Sequence, residues 1–342
     1  MTRKLKGRLI TVFQWGLSLL AFWYVAREVS WDEILNLFSD TDPILFLAVA
    51  VITTLQLITT PCLWWVLLRN TKNTLFSTAL RIDLVIKFIN HIIPSKASGH
   101  SIAPLVVKHY TNIEWSNAVT VSGLNTGLYA MLYGLVSLCG LLIFMTRLPN
   151  RVSIVILLST GIYVGVGVLV LLAGYRLDFA VILFARIDDL VANIPQIGSR
   201  LAKLVGKLPS FTEESSILFR NLVSRLDVVI LYSLAWVGTL VVFPGARVAV
   251  LISVLGGSFT PLWLLPIALV MAYSVTVLPL TPGGIGVAEA SATLVLVSLG
   301  VSQEIAVAVV LVDRVFGAYI PALLGAVPAA GFDLTTFVSN EH

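Results

Sequence analysis

The sequence predicts an all-α integral membrane protein with about six full spans and two re-entrant broken helices in an inverted repeat. Three observations support this class. Hydrophobic residues make up 58% of the 342 residues and charged residues only 12%, a balance typical of chains embedded in lipid. Residues 279–289 read Pro-Leu-Thr-Pro-Gly-Gly-Ile-Gly-Val-Ala-Glu between two apolar runs. A weaker copy of this segment lies 185 residues upstream, around Pro94.

The segment 279–289 is predicted to interrupt a membrane helix. Its two prolines remove backbone donors, and its glycines allow positive φ and a close backbone approach. In hydrocarbon, unwound backbone survives only where protein or a water-filled cavity satisfies it. We therefore interpret the segment as a broken helix that lines a cavity, with N–H groups at the start of the next helix that suit an anionic headgroup. The alternative is an ordinary loop between two spans.

The upstream copy predicts an internal repeat within a single membrane domain, residues 1–342. After a shift of 185 residues, three pairs of identical residues coincide: Pro94 with Pro279, Gly99 with Gly284, and Ala103 with Ala288. Weak symmetry of this kind is common in transporters. The repeats cover about residues 43–146 and 228–328. An odd number of spans separates the two turns, so the turns enter from opposite faces unless residues 247–255 make a separate crossing.

The first apolar runs predict the orientation of the chain. Basic residues precede the run 9–26, which predicts an uncleaved span with a cytoplasmic N-terminus. The next run, 43–68, ends in tryptophans followed by basic residues, as at a cytoplasmic surface. Residues 75–93 contain Asp83 and Lys87, which are four apart and can pair on a helix. This segment predicts the entering half of the first re-entrant hairpin or, alternatively, an interfacial helix.

The later runs complete the predicted topology. Residues 117–146 and 152–174 form spans that each carry a Gly-x-x-x-Gly pattern, at Gly123 and Gly161, which predicts close helix packing. Residues 175–227 predict cationic amphipathic helices on the cytoplasmic surface. A fifth span begins near Val228, and a last one covers residues 303–328. The C-terminus is then cytoplasmic, and we expect a multi-pass protein of the cell membrane.

Charged residues inside these spans, together with the two turns, form the candidate substrate site. Intramembrane charges are functional by default, so Arg314 is predicted to bind substrate or to pair with Glu289. The alternative is a lipid-facing side chain that snorkels to the membrane surface. Glu289 is predicted to be a counter-ion for a cationic headgroup or for Arg314, and the alternative is a helix-start residue, because the helix dipole favours a carboxylate in the first turn in any case. Asp313 is adjacent to Arg314 and points in another direction on a helix. The complete candidate set is Pro94, Lys96, Ser98, Gly99, His100, Thr281, Pro282, Gly283, Gly284, Gly286, Glu289, Asp313 and Arg314.

Catalytic and metal-binding patterns do not occur in the sequence. There is no Ser/His/Asp, HExxH, Walker or CxxC arrangement. His91, His100 and His109 are nine residues apart, which places neighbours on opposite helix faces and is no metal-ligand spacing. Cys62 and Cys139 lie in apolar runs and predict packing. Because these patterns are absent, we expect no enzyme activity, no cofactor and no metal. We also expect no nucleic-acid partner, since the net charge of +4 suits membrane topology and anionic lipid surfaces.

Three segments resemble a known family. The motif at 279–289, the pair Asp313-Arg314 and the run Pro-Ala-Leu-Leu-Gly at 321–325 resemble the lysylphosphatidylglycerol synthase transmembrane family, the flippase-domain family of the multiple peptide resistance factor. The resemblance covers nearly the whole chain. It implies a stand-alone member without the synthase domain. The first turn carries Lys96 and His100 in place of the family's acidic-plus-arginine pattern.

The resemblance implies lipid translocation. We expect a flippase for a phosphate-containing lipid, either aminoacylated or linked through a polyprenyl or dolichyl phosphate, whose headgroup crosses through a groove at the membrane midplane. Its partners would be membrane lipids and, in one version, a separate lipid-modifying or glycosyl-transferring enzyme. Two alternatives stay open: a non-transporting partner or regulator of such an enzyme, and a secondary transporter of small solutes. A lateral opening between spans would favour the lipid.

Overall fold

The computed structural model describes residues 43–92, 96–175, 208–278 and 280–331, and the regular structure in these segments is helical. Five of the described helical segments are long and apolar enough to cross a membrane. They are Ile44–Arg69, Trp115–Phe144, Asn150–Tyr175, Leu226–Val254 and Gln303–Ala329. The protein is therefore an all-helical, multi-pass membrane protein over these segments, as predicted. The expected first span at residues 9–26 lies outside the described residues.

The first described span contains a break. Helix α1 covers Pro43–Thr59 and α2 covers Cys62–Arg69. Pro61 lies between them and lacks the N–H that a continuous helix would use. The guanidinium of Arg69 lies over the ring of Trp65, with 4.6 Å from Cζ to the ring centroid. The span thus ends with the aromatic and basic residues that the sequence analysis assigned to a membrane surface.

A helical hairpin follows this span. Helix α3 covers Phe76–Ile92, α4 covers Lys96–Thr111, and the two pack against each other. The predicted pair on α3 is confirmed, because Lys87 Nζ lies 2.7 Å from Asp83 Oδ2. Pro94 lies outside the described residues. For Lys96, Ser98, Gly99 and His100 the structure describes the helical backbone only.

Helices α5, Trp115–Phe144, and α6, Asn150–Tyr175, form a second, closely packed hairpin. The two helices pack tightly at Gly134 and Gly167, where an added Cβ would lie 2.9 Å and 2.8 Å from backbone nitrogens of the facing helix. The packing predicted from the Gly-x-x-x-Gly patterns is wrong for most of the pattern glycines. Those whose added Cβ would have no neighbour within 4 Å are Gly123, Gly161 and Gly165.

One further helix of the predicted surface region is described. Helix α7, Leu208–Ser224, packs against α5 and α6 and buries Phe219 and Leu222. Its other face carries exposed residues such as Glu213, so the helix is amphipathic, as predicted for 175–227. The apolar stripe around residues 197–205 lies outside the described residues.

The second half of the chain begins with the continuous helical segment Leu226–Val254. It consists of α8, Leu226–Val237, a π-helical turn, and α9, Phe243–Val254. Residues 247–254 therefore extend this span, and they do not form a crossing of their own. The last span has the same construction. Its parts are α12, Gln303–Arg314, a second π-helical turn, α13, Ile320–Leu324, and α14, Ala326–Ala329.

Each π-helical turn ends two residues before a proline. The turn Gly238–Val242 precedes Pro244, and the turn Val315–Tyr319 precedes Pro321. A proline has no N–H, and its ring clashes with the carbonyl of the preceding turn. A π turn is wider than an α turn, because its hydrogen bonds reach five residues, so it accommodates the ring within a continuous span.

Between these two spans lie two shorter apolar segments, Leu262–Val277 and Pro282–Ser298. The first contains α10, Leu265–Tyr273, and the second contains α11, Val287–Ser298. Helices α10 and α11 pack against each other. The motif 279–289 connects them, so the chain is broken at this motif, as predicted.

Candidate functional site

The motif turn depends on glycines at positive φ. Gly283, Gly284 and Gly286 have φ of 61°, 74° and 81°, a region that side-chain-bearing residues seldom occupy. Gly283 also lacks room for a side chain, because an added Cβ would lie 2.9 Å from Cδ2 of His91. The turn therefore packs directly against α3 of the first hairpin.

Two glycine N–H groups of this turn are engaged within the motif. The N–H of Gly284 donates to the carbonyl of Thr281 at 3.1 Å, and the N–H of Gly286 donates to Oε2 of Glu289 at 2.6 Å. Glu289 thus caps the helix in which it lies. The motif predicts that such N–H groups bind an anionic headgroup, whereas the protein's own carboxylate occupies the position beside Gly286.

Glu289 also forms the predicted ion pair with Arg314. Nε of Arg314 donates to Oε1 of Glu289 at 2.8 Å, and the hydroxyl of Tyr319 donates to the same oxygen. The Glu289 side chain is only 1% exposed. A buried carboxylate without a cation would be strongly unfavourable. The two interpretations of Glu289, helix capping and ion pairing, therefore hold together.

Asp313 forms a second buried ion pair, with a residue that the sequence analysis did not select. Nη2 of Arg247 lies 2.6 Å from Oδ1 of Asp313, and the hydroxyl of Tyr273 donates to Oδ2 at 2.7 Å. Nη1 of Arg247 donates to Oε1 of Gln56 at 2.6 Å. This pair connects α1, α9, α10 and α12. Asp313 and the adjacent Arg314 point in different directions, as predicted.

Gly317 provides the space for the Arg247 guanidinium. It lies within the π-helical turn Val315–Tyr319, and an added Cβ would approach Nη2 of Arg247 to 2.3 Å. The π turn therefore brings bare backbone against the ion pair that Arg247 forms with Asp313.

A cavity of about 480 Å³ lies beside these ion pairs. The motif contributes Gly283 to its wall, the last span contributes Arg314, and α3 contributes Asp83 and Lys87. Asn125 on α5 adds a polar group from the opposite hairpin. The cavity thus brings the motif turn of the second half and charged residues of the first half to one space.

Three polar atoms of the lining residues lack a partner. Nη2 of Arg314, Oδ1 of Asn90 and Oγ1 of Thr239 are buried and make no hydrogen bond within the described part of the chain. All three residues line the cavity. Buried polar groups in folded proteins are nearly always hydrogen-bonded to protein, water or ligand. The cavity therefore offers one cationic donor and two neutral polar groups to an occupant.

Another part of the cavity wall is apolar and reaches the protein surface. Ile162 and Val166 on α6 line the cavity and are 40% and 39% exposed. Exposed apolar side chains on a membrane span face hydrocarbon. Within the described part of the chain, these two apolar side chains therefore separate the polar groups of the cavity wall from the lipid-facing surface.

A family model described as the lysylphosphatidylglycerol synthase TM region matches residues 11–325. The chain belongs to this family. The matched residues include the motif 279–289, all the lining residues of the cavity and both ion pairs. No curated protein and no solved structure matches the chain.

In this member of the lysylphosphatidylglycerol synthase transmembrane family, the candidate residues whose side chains are described form two groups. Gly283 and Arg314 line the cavity. A second group holds these two in place through the turn geometry and the ion pairs. It consists of Thr281, Pro282, Gly284, Gly286, Glu289 and Asp313. No group of three His, Cys, Asp or Glu residues that could hold a metal ion occurs within residues 43–92, 96–175, 208–278 and 280–331.

Several cavity and network residues were missed by sequence reasoning. Arg247 had a usable signal, since it is a charge within an apolar run, but the crossing at 247–255 was unassigned. Gln56, Asn90 and Thr239 are uncharged residues in apolar helices. Their positions depend on which helix faces meet, which local sequence does not specify.

Proposed function

We propose that this protein moves a phosphate-containing lipid across the membrane, with the headgroup in the cavity and the lipid chains in the bilayer. The observation that carries the proposal is the composition of the cavity wall. Arg314 presents a buried guanidinium, the group best suited to phosphate, while Ile162 and Val166 form the lipid-facing edge. A volume of about 480 Å³ falls within the range of roughly 300–1,000 Å³ for small-molecule sites.

An inverted repeat would give such a cavity access to both faces of the membrane. The helix bounds support this part of the proposal. A shift of 185 residues carries Ile44–Arg69 to 229–254, inside Leu226–Val254, and carries α3 and α4 to 261–277 and 281–296. The last two ranges nearly coincide with Leu262–Val277 and Pro282–Ser298. The spans between the two turns, α5, α6 and α8–α9, are odd in number, so the hairpins would enter from opposite faces.

The cellular setting belongs to the same proposal. We place the protein in the cell membrane with both termini in the cytoplasm, because basic residues cluster in the loops on that side. Its partners are membrane lipids and no nucleic acid, and it has no enzyme activity of its own. A separate lipid-modifying or glycosyl-transferring enzyme would supply or use the transported lipid.

Reconstitution into lipid vesicles tests the proposal. Purified protein should increase the fraction of a fluorescent phospholipid that a membrane-impermeant quencher reaches, relative to protein-free vesicles. Arg314→Gln should slow this exchange because it removes the phosphate-binding cation. Arg151→Gln is the matched control, since Arg151 is exposed at the start of α6 and does not line the cavity. Folded protein that exchanges no phosphate-containing lipid above the protein-free level would refute the proposal.

A further inference from the structure

We propose that Gln56 is a positioning residue of the cavity, because its carboxamide replaces the N–H that Pro244 lacks and so fixes the π-helical turn Gly238–Val242 in the cavity wall. The inference rests on the proposed function and names a side chain on which transport depends. It is carried by two hydrogen bonds of this side chain and by the place of its partners at the cavity.

The first π-helical turn leaves one backbone carbonyl without a helical donor. The N–H of Phe243 donates to the carbonyl of Gly238, five residues earlier. The next bond of this kind would join residue 244 to the carbonyl of Thr239, but Pro244 has no N–H. Nε2 of Gln56 donates to this carbonyl at 2.9 Å. A side chain of α1 thus takes the place of the backbone donor.

The other end of the Gln56 carboxamide is fixed by Arg247. Its Oε1 accepts a hydrogen bond from Nη1 of Arg247 at 2.6 Å. A guanidinium can only donate and a carbonyl can only accept, so one orientation of the amide satisfies both bonds. Arg247 is itself 1% exposed and lies 2.6 Å from Asp313. Gln56 therefore cannot turn away from Thr239 without leaving buried groups unsatisfied, which is unfavourable.

These contacts lie in the cavity wall. Gln56, Thr239 and the following residue, Leu240, all line the cavity, and Thr239 is 2% exposed. Gly317 of the second π-helical turn lines it as well and lies directly against the guanidinium of Arg247. Gln56 and Arg247 thus join wall segments from α1 and from both π-helical turns. The position of these segments relative to one another depends on the Gln56 carboxamide.

Lipid exchange tests the inference through a compensating pair of substitutions. Gln56→Met keeps the length of the side chain and removes both bonds, so exchange per folded molecule should fall about tenfold, equivalent to about 1.4 kcal/mol. Pro244→Ala returns an N–H to residue 244, so the double variant should exchange lipid severalfold faster than Gln56→Met. Pro244→Ala alone should stay close to the wild-type rate. Thr54→Val is the control on α1, since the Thr54 hydroxyl donates within its own helix and Thr54 does not line the cavity.

The outcomes separate this inference from the proposed function. Wild-type exchange by folded Gln56→Met protein would overturn the inference and leave the proposed function standing. A loss that Pro244→Ala does not reduce would also overturn it, because the carbonyl of Thr239 would not be the partner that matters. Folded wild-type protein that exchanges no lipid would count against the proposed function.

A thiol measurement reports on the wall without any lipid exchange. Leu240→Cys is introduced into protein in which Cys62 and Cys139 are replaced by serine, and its rate of reaction with a small water-soluble maleimide is measured. Gln56→Met should change this rate severalfold, Pro244→Ala should return it toward the original value, and Thr54→Val should leave it unchanged. Equal rates with and without Gln56→Met would overturn the inference, whether or not the protein moves lipid.

Discussion

Some side chains at the site contact more than one of the buried charged groups. Tyr273 is the clearest case. Its hydroxyl donates to Oδ2 of Asp313, while its ring centroid lies 5.8 Å from Cζ of Arg314. The ring of Tyr319 lies 5.3 Å from the same guanidinium carbon, within cation–π range. The guanidinium is thus fixed by one carboxylate and two rings, which leaves Nη2 for another ligand.

We predict strong coupling between Glu289 and Arg314. Glu289→Gln or Arg314→Gln alone should lower the free energy of unfolding by about 3–5 kcal/mol, because one buried charge remains without its partner. The double variant should recover much of this loss. Chemical unfolding in detergent measures all three. Strictly additive losses would show that the two residues are not energetic partners.

The exposed pair between Arg225 and Asp227 serves as the control for this cycle. Its N–O distance of 2.7 Å is similar, but its side chains are 47% and 52% exposed. Solvent screens such pairs, so Arg225→Gln should change stability little. A large loss in this variant would mean that distance, rather than burial, determines the effect.

Gly317 provides a second prediction at this scale. Gly317→Ala should destabilise the protein, because the new Cβ would lie 2.3 Å from Nη2 of Arg247 and force the guanidinium away from Asp313. Gly165→Ala, on a helix and with no atom within 4 Å of its added Cβ, should be neutral or slightly stabilising. Thermal unfolding of the two variants in the same detergent measures the difference. Equal midpoints would remove Gly317 from the ion-pair geometry.

Among elements, the motif turn shows how glycine positions couple the two hairpins. Gly283 lines the cavity and touches His91 on α3. Its positive φ sets the direction in which the chain enters α11, and its missing side chain sets the distance to α3. The turn is therefore a contact between the halves of the protein as well as a break in a helix.

We predict that Gly283→Ala slows lipid exchange. The alanine must adopt φ near 61°, a strain of about 1–2 kcal/mol, and must displace His91 from the cavity wall. Gly256→Ala is the control, since Gly256 has φ of 74° and no atom within 4 Å of its added Cβ. Both variants should lose stability, but only Gly283→Ala should reduce exchange per folded molecule. Equal reductions would mean that backbone strain alone is responsible.

Local sequence predicted where helices break and which charges pair better than it predicted which residues pack between helices. The motif break, the pair on α3 and the pair between Glu289 and Arg314 follow from proline and glycine chemistry and from the rule that buried charges need partners. The π-helical turns did not follow, although each precedes a proline, because a proline in a span can also end or kink the helix. The packing glycines Gly134 and Gly167 lie outside the Gly-x-x-x-Gly patterns, since the facing helix decides which glycine is needed.

For the whole molecule, the membrane class and the family were accessible from composition and motifs, whereas the arrangement of the halves was not. Hydropathy specifies which segments are apolar, but a hairpin that returns to its own face and a short crossing can have the same hydropathy. The segments 76–111 and 262–298 are both of this kind. Their orientation therefore needs an accessibility measurement.

The predicted topology can be tested by labelling single cysteines at four exposed positions, in a protein in which Cys62 and Cys139 are replaced by serine. Asn73→Cys and Asn112→Cys flank α3 and α4, and both should react with an impermeant thiol reagent from the cytoplasmic side. Thr146→Cys and Ser302→Cys should react from the outer side. All four positions are exposed. Labelling of Asn73→Cys and Asn112→Cys from opposite sides would make 76–111 a crossing and exclude the inverted repeat.

The adjacency of Asp313 and Arg314 has a mechanical consequence. Asp313 forms an ion pair with Arg247 on α9, and Arg314 forms one with Glu289 on α11. Two neighbouring helices therefore hold α12 at the same turn. Rotation of α12 about its axis would break both ion pairs together. The charged pair on α3, by contrast, joins Asp83 to Lys87 within one helix and can travel with it. Rotation of α12 should therefore cost two buried ion pairs at once, whereas the pair on α3 connects no second helix.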